Sequence, residues 1–329
     1  MLIDPYKRPV NYLRVSVTDR CDFRCQYCMA ENMKFLPKKD LLSLIEIERI
    51  CKTFIDLGTK KIRITGGEPL VRKNVMSLFK NLGQFVHNGQ LSELTLTTNG
   101  SQLEKYAEQL FEYGVKRINV SIDTLKPNLF KELTRRGNLE QVLKGIEKAL
   151  QVGLKVKINT VALKETNEHE LVDILKWAHS IKCDITFIET MPLGEIDIDR
   201  TDQFLPLSKV KELLSKKFKI TSSKHYTGGP SRYFEIQETG HRVGFITPMT
   251  HNFCELCNRV RLTCTGKLYM CLGQEDSADF RNAARSVNWK NDLKSAIVEA
   301  ISRKPKGHDF VIRRKHSPSV NRHMSVTGG

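Results

Sequence analysis

No stretch of this 329-residue chain approaches the roughly 20 apolar residues that span a bilayer. Its start, Met1-Leu2-Ile3-Asp4-Pro5-Tyr6-Lys7, carries no apolar signal region. A cytoplasmic location with no membrane partner is the expectation. Aromatic residues are scarce at 8%, with only two Trp, and no stacking-aromatic module of the RNA-recognition kind is present. Acidic residues are outnumbered, 37 Asp and Glu facing 53 Lys and Arg for a formal charge of +16. That excess favours a polyanionic partner such as nucleic acid or a nucleotide phosphate. Basic runs such as Arg303, Lys304, Lys306 and Arg313, Arg314, Lys315 read equally well as solvated surface. The nine cysteines are odd in number, and seven fall in two groups too tightly spaced for a disulfide framework, so metal ligation is the better reading. Forty per cent apolar and 27% charged is the balance of a globular protein.

From residue 10 to about residue 190, short β-rich runs alternate with helical patterns. Strands are expected at 12–17, 61–65, 93–97, 117–122, 155–161 and 184–188, each of Val, Ile, Leu or Thr character. Helices are expected at 44–57, 75–85, 103–113, 139–150 and 170–181, several ending near Gly58, Gly114 or Gly153. The alternation predicts an α/β fold, a partial (β/α)6 barrel of the TIM type over residues 1–190, with ligands at the carboxyl ends of the strands. Residues 191–329 break the rhythm and form a C-terminal elaboration: a helix near 209–218, strands near 233–236 and 243–246, then the second cysteine group. The tail from Arg303 onward is basic and poor in pattern, and is expected to be mobile.

Cys21, Cys25 and Cys28 follow the first strand at C-x3-C-x2-C spacing. A structural zinc or an ordinary [4Fe–4S] site takes four protein ligands, so three thiolates leave one metal position open for chemistry. The bland alternative is a zinc loop completed by a distant His or Cys. Tyr27 precedes the last cysteine, and Gly66-Gly67-Glu68-Pro69 ends the second strand. Two glycines permit close approach to a ligand, and the Glu68 carboxylate can pair with an ammonium group. These motifs resemble the radical S-adenosylmethionine superfamily, in which the open iron of a [4Fe–4S] cluster chelates the cofactor.

Cys254, Cys257 and Cys271, with Cys264 between, form the second group, opening with Phe253. A four-thiolate zinc ribbon and a second [4Fe–4S] cluster held by three of the four are both open on spacing. Arg259 and Arg261 would make an anion site beside such a cluster, or else alternate along a solvated strand. Together with the first triad, the C-x2-C-x13-C triad, the Asn258-Arg259-Val260-Arg261 run and the terminal Gly328-Gly329, the chain resembles the GTP 3′,8-cyclase family of molybdenum cofactor biosynthesis nearly end to end.

The resemblance implies a lyase with two [4Fe–4S] clusters, on Cys21, Cys25, Cys28 and on Cys254, Cys257, Cys271, with Cys264 departing from the pattern. It implies S-adenosyl-L-methionine on Tyr27, Gly66, Gly67, Glu68, Ser121 and Met191. GTP is implied against Arg14, Arg63, Thr97, Lys157, Arg259, Val260 and Arg261, with Lys157, Arg259 and Arg261 as the catalytic cations. In the family an adenosyl radical takes the hydrogen from ribose C3′ and the carbon radical attacks guanine C8, so the task is orientation. An electron donor, the next enzyme of the pathway and a second copy of the chain are the implied partners, and the Gly328-Gly329 tail is implied to enter the active site. The rivals are a peptide maturase of the same superfamily and a zinc-dependent RNA-binding protein.

Overall fold

The computed structural model describes residues 1–196, 199–250, 254–308, 310–312 and 318–328. Phe253, Arg313, Arg314, Lys315 and Gly329, used in the sequence reading, lie outside the described residues. Six strands follow one another in parallel: β1 (Tyr12–Ser16), β2 (Lys61–Thr65), β3 (Glu93–Thr98), β4 (Arg117–Ser121), β5 (Lys155–Val161) and β6 (Asp184–Ile188). The crossovers are α1 (Leu44–Asp56), α2 (Val75–His87), α3 (Leu103–Glu112), the pair α4 (Pro127–Thr134) and α5 (Leu139–Gln151), and α6 (Leu171–Ser180). Local chemistry sets these boundaries. Ser43 and Glu46 close a capping box at the start of α1, and Gly58 follows its end at φ +100°. Helix α4 was not among the expected elements; Pro127 opens it, and its Phe130 packs edge-on against Phe23 of the first cysteine loop.

The elaboration comprises α7 (Arg200–Gln203), α8 (Leu207–Ser215), β7 (Ile220–Ser222), β8 (Arg232–Ile236), β9 (Arg242–Ile246), β10 (Arg259–Leu262), β11 (Lys267–Tyr269), β12 (Ser277–Asp279), α9 (Arg281–Arg285), α10 (Trp289–Ser302) and α11 (Met324–Thr327). It extends both edges of the sheet: β9 pairs parallel with β6, and β10 pairs parallel with β1. The strand order is β12-β11-β10-β1-β2-β3-β4-β5-β6-β9-β8-β7. Side chains from β10 at one end and β9 at the other line the same cavity, so the open sheet curls around it.

Alternation sorts the two faces. Ile62, Ile64, Leu94, Leu96, Ile118, Val120 and Ile158 are buried beneath the helices. The opposite face carries Arg14, Arg63, Asn119, Lys157 and Asn159, in contrast to a TIM barrel filled by branched apolar side chains. Among the described residues no helix is long and apolar enough to cross a membrane.

The expectation of a mobile tail fails for its described part. Val320 bridges to Leu193. Arg322 pairs with Glu275 at 2.6 Å and donates to the carbonyls of Cys271, Leu272 and Gln274. Lys304 is 2% exposed rather than solvated. Lys304 and Arg322 thus place their charge on carbonyls, a thiol and a carboxylate of the same molecule, which composition does not reveal.

Candidate active site

The loop after β1 brings Cys21, Cys25 and Cys28 to a cavity of about 1140 Å³, counted to its open mouth, which Tyr27, Gly66, Gly67, Ser121 and Met191 also line. Its backbone is held from outside. Arg24 and Gln26 donate their N–H groups to the carbonyls of Thr134 and Leu133 at the end of α4, at 2.9 and 3.0 Å. The Arg24 guanidinium donates to the carbonyls of Cys21 and Phe23, and Asn99 donates to Asp22 at 2.7 Å. Burial pushes all three thiols up, Cys28 to about 11, and for Cys25 the charges of Cys28 and Cys21 add to it. Cysteine ligands must lose their protons, so a bound metal cation would offset this effect of burial. Among the described residues no three His, Cys, Asp or Glu converge on one point as a single metal ion would need. The three thiols would each hold a different iron of a [4Fe–4S] cluster, so convergence on a single ion would not be required.

The two glycines face the cavity, but their lack of a side chain serves the fold. A Cβ at Gly66 would lie 2.7 Å from the Thr18 carbonyl oxygen, and one at Gly67 2.4 Å from that of Arg20. Glu68 departs from its expected place: it is fully buried outside the cavity lining, accepting from the N–H groups of Leu70 and Asn99 and from the Thr98 hydroxyl at 2.6–3.0 Å. Burial raises it to about 8, against the pull of those hydrogen bonds. Its carboxyl group braces the ends of β2 and β3. Tyr27 donates to Asp123 at 2.6 Å, and burial lifts Asp123 to about 6 despite that bond.

A second cavity, about 1080 Å³ by the same measure, adjoins the first; Thr97, Asn159, Ile188, Met191 and Met324 border both. Among the described residues six cations line it: Arg14, Lys61, Arg63, Lys157, Arg259 and Arg261. Register explains the density. Arg261, Arg14 and Arg63 stand opposite one another on β10, β1 and β2, where like charges repel. Burial and Arg261 hold Arg14 well below its usual range, and burial and Arg259 bring Arg261 to about 10. The buried Nε of Arg14 has no hydrogen-bond partner among the described residues. Burial would raise Tyr12, but Arg63, Arg14, Lys61 and Arg259 outweigh it and lower the phenol to about 7. Arg63 donates to Tyr12 at 2.6 Å and to Thr97 at 3.0 Å, and Lys157 donates to Tyr233 at 3.2 Å. The row is an anion site of high positive charge.

Cys254, Cys257 and Cys271 open on this same cavity. Burial raises Cys257, but Arg259 and Lys304 prevail and bring it to about 7. Cys264 lies elsewhere: its carbonyl accepts from Leu42 N–H at 2.8 Å, its side chain is buried near Asp19 and Arg72, and it lines neither cavity. Val260, expected against the substrate, points the other way into the apolar core because neighbours on a strand face opposite sides. Gly328 touches residues of both cavities: its carbonyl accepts from Arg261 at 3.1 Å, and a Cβ there would strike Thr65, while Met324 and Ser325 of the same tail are the ones that line them. Sequence reasoning missed Tyr12, Lys61, Asn119 and Asn159. Each sits two positions from a named residue on its strand, so the alternation that betrayed Val260 could have found them.

Three thiols on a loop at the carboxyl end of the first strand of a half-barrel, facing a large cavity rimmed by two glycines, define a radical S-adenosylmethionine protein. The model of the Radical SAM superfamily matches residues 15–178, and that of Molybdenum Cofactor Synthesis C matches residues 183–310. A relative from Brucella ovis named GTP 3′,8-cyclase is 61% identical across this whole chain and 96% of its own length; one of the same name from Sinorhizobium medicae is 60% identical over 94% of its length. The chain belongs to the GTP 3′,8-cyclase family. The crystal structure of Streptococcus suis SuiB bound to S-adenosylmethionine shares the fold, with a TM-score of 0.60 at 17% identity over 97% of this chain and 77% of that one. Membership brings S-adenosylmethionine and a [4Fe–4S] cluster as cofactors.

Proposed function

We propose that this chain converts GTP to (8S)-3′,8-cyclo-7,8-dihydroguanosine 5′-triphosphate, with one [4Fe–4S] cluster on Cys21, Cys25 and Cys28 and a second on Cys254, Cys257 and Cys271. The observation that carries this reading is the register row of Arg261, Arg14 and Arg63, which opens on the second thiol triad in a cavity adjoining the first. A triphosphate supplies the negative charge that this row lacks. When bound, the first cluster and S-adenosylmethionine supply a radical that takes a hydrogen atom from the substrate.

The protein's part is to hold and orient. Tyr27, Gly66, Gly67, Ser121 and Met191 form the cofactor side, with Tyr27 fixed by Asp123. Arg14, Arg63, Lys157, Arg259 and Arg261 hold the phosphates, and Thr97, which Arg63 orients, stands where the two cavities meet. That junction is where a ribose carbon can face the cofactor. Gly328 accepts from Arg261 and so helps to fix that cation. An unidentified electron donor, the next enzyme of molybdenum cofactor synthesis and a second copy of the chain are its proposed partners. Residues 191–329 are the half that carries the second cluster, and the reducing cytoplasm is the compartment in which nine free cysteines stay available.

Anaerobic incubation with GTP, S-adenosylmethionine and a reductant tests the reading through the cyclised nucleotide. Replacing Arg259 and Arg261 together by Ala should retain both clusters and cofactor cleavage. GTP affinity should fall at least about tenfold, since each lost charge-assisted contact is worth about 1.5–3 kcal/mol. Unchanged GTP affinity would return the substrate to a peptide.

A further inference from the structure

Lys304 follows α10 and is buried to 2% exposure, yet among the described residues its ammonium pairs with no carboxylate. Its Nζ donates to the Met270 carbonyl at 3.0 Å and lies 3.5 Å from the Cys257 Sγ. A buried ammonium is strongly unfavourable unless an anion accompanies it. Here the group beside it is the Cys257 thiol, one of the three thiols that open on the second cavity.

The segment bearing Lys304 is fixed against the thiols. Arg8, paired with Asp4 at 2.6 Å, donates to the carbonyls of Cys254, Pro305 and Lys306, each at 2.6 Å. A Cβ at Gly307 would lie 3.2 Å from the Cys254 Sγ, so the chain passes directly over that cysteine. Met270, whose carbonyl orients Nζ, immediately precedes Cys271. Arg8 thus ties the amino-terminal segment, the cysteine loop and the chain after α10 into one frame around the lysine.

We propose that Lys304 is a positioning residue of the second metal site: its buried ammonium is a fixed counter-charge beside the Cys257 sulfur, additional to the cavity's arginines, and helps set how readily that site accepts an electron. This rests on the two-cluster reading above. A positive charge beside a thiolate-bound cluster favours its reduced form, because reduction adds negative charge there.

The test replaces Lys304 with Met and with Arg in the full chain, anaerobically reconstituted. A background carrying Cys21→Ala, Cys25→Ala and Cys28→Ala leaves the second triad as the spectroscopic centre. The readouts are iron and sulfide content and an electron-paramagnetic-resonance redox titration. Lys304→Met should load iron and shift the midpoint to more negative potential, while Lys304→Arg stays near the parent. Failure of the Met variant alone to load would also support the charge requirement. An unshifted midpoint in a fully loaded Met variant would overturn the proposal, as would equal loss of the cluster in both variants, which would make the lysine's shape the requirement. Absence of iron from the parent background would overturn the two-cluster reading itself, and this proposal with it.

Discussion

Gly67 offers a direct test of what the glycine pair is for. In Gly67→Ala the new methyl would sit 2.4 Å from the Arg20 carbonyl oxygen, 2.6 Å from its carbon and 2.8 Å from the Asp19 oxygen. Ordinary contact between such atoms lies near 3.5 Å, so the two backbones must part by about 1 Å. Neither is free to do so: Gly67 N–H donates to Thr18 and Glu68 N–H to Arg20, both at 2.8 Å. Overpacking of this kind costs about 1–3 kcal/mol. Arg20 immediately precedes Cys21, so the strain passes to the first thiol, and a displacement of about 1 Å at a reacting centre costs about 100-fold in rate. Gly229→Ala is the control for stability, its Cβ meeting only the Thr227 hydroxyl at 3.6 Å. Urea unfolding of the metal-free proteins and 5′-deoxyadenosine formation by the loaded ones read the two effects. Wild-type stability and cleavage in Gly67→Ala would refute the reasoning and return the glycine to a ligand-facing role alone.

Two further outcomes concern other buried groups. Cys264→Ser should keep the iron of both sites, because Cys264 lines neither cavity, whereas Cys271→Ser should lose about half of it; iron analysis decides, and the reverse pattern would reassign the ligand. Glu68 is raised by burial to about 8, so its neutral form contributes stability that is full below the ordinary value of 4.5 and is lost as pH rises through about 8. Glu68→Gln does not titrate, so the wild type's advantage over it should shrink between pH 5 and pH 8 in urea unfolding; a constant difference would refute the assignment.

The barrel strands and five of their helices were legible because period-2 and period-3.6 patterns repeat in order through the first half of the chain. Helix α4 escaped notice because eight residues led by a proline give too little periodicity. Strands β11 and β12 are three residues each, and pairing alone defines them. At the site, the inward-facing cations could be read from alternation once one residue per strand was fixed. Lys304 could not: within a basic run it looks like any solvated lysine, and the thiol beside it is 47 positions away in the chain. Glu68 was placed at the strand end where it lies, while its partners Thr98 and Asn99 escaped notice because they approach it only once β3 has docked.

The pairing of β1 with β10 bears on how this molecule is made. The frame that Arg8 closes joins it to Cys254 across 246 residues, and β1 beside it has no second neighbour until the last quarter of the chain exists. During synthesis its outer edge stays bare, with unpaired N–H and carbonyl groups that invite other chains. Contacts of such high sequence separation also form late and slowly. The first three thiols lie just past that edge, so the strand that leads into their loop stays one-sided until β10 has been made.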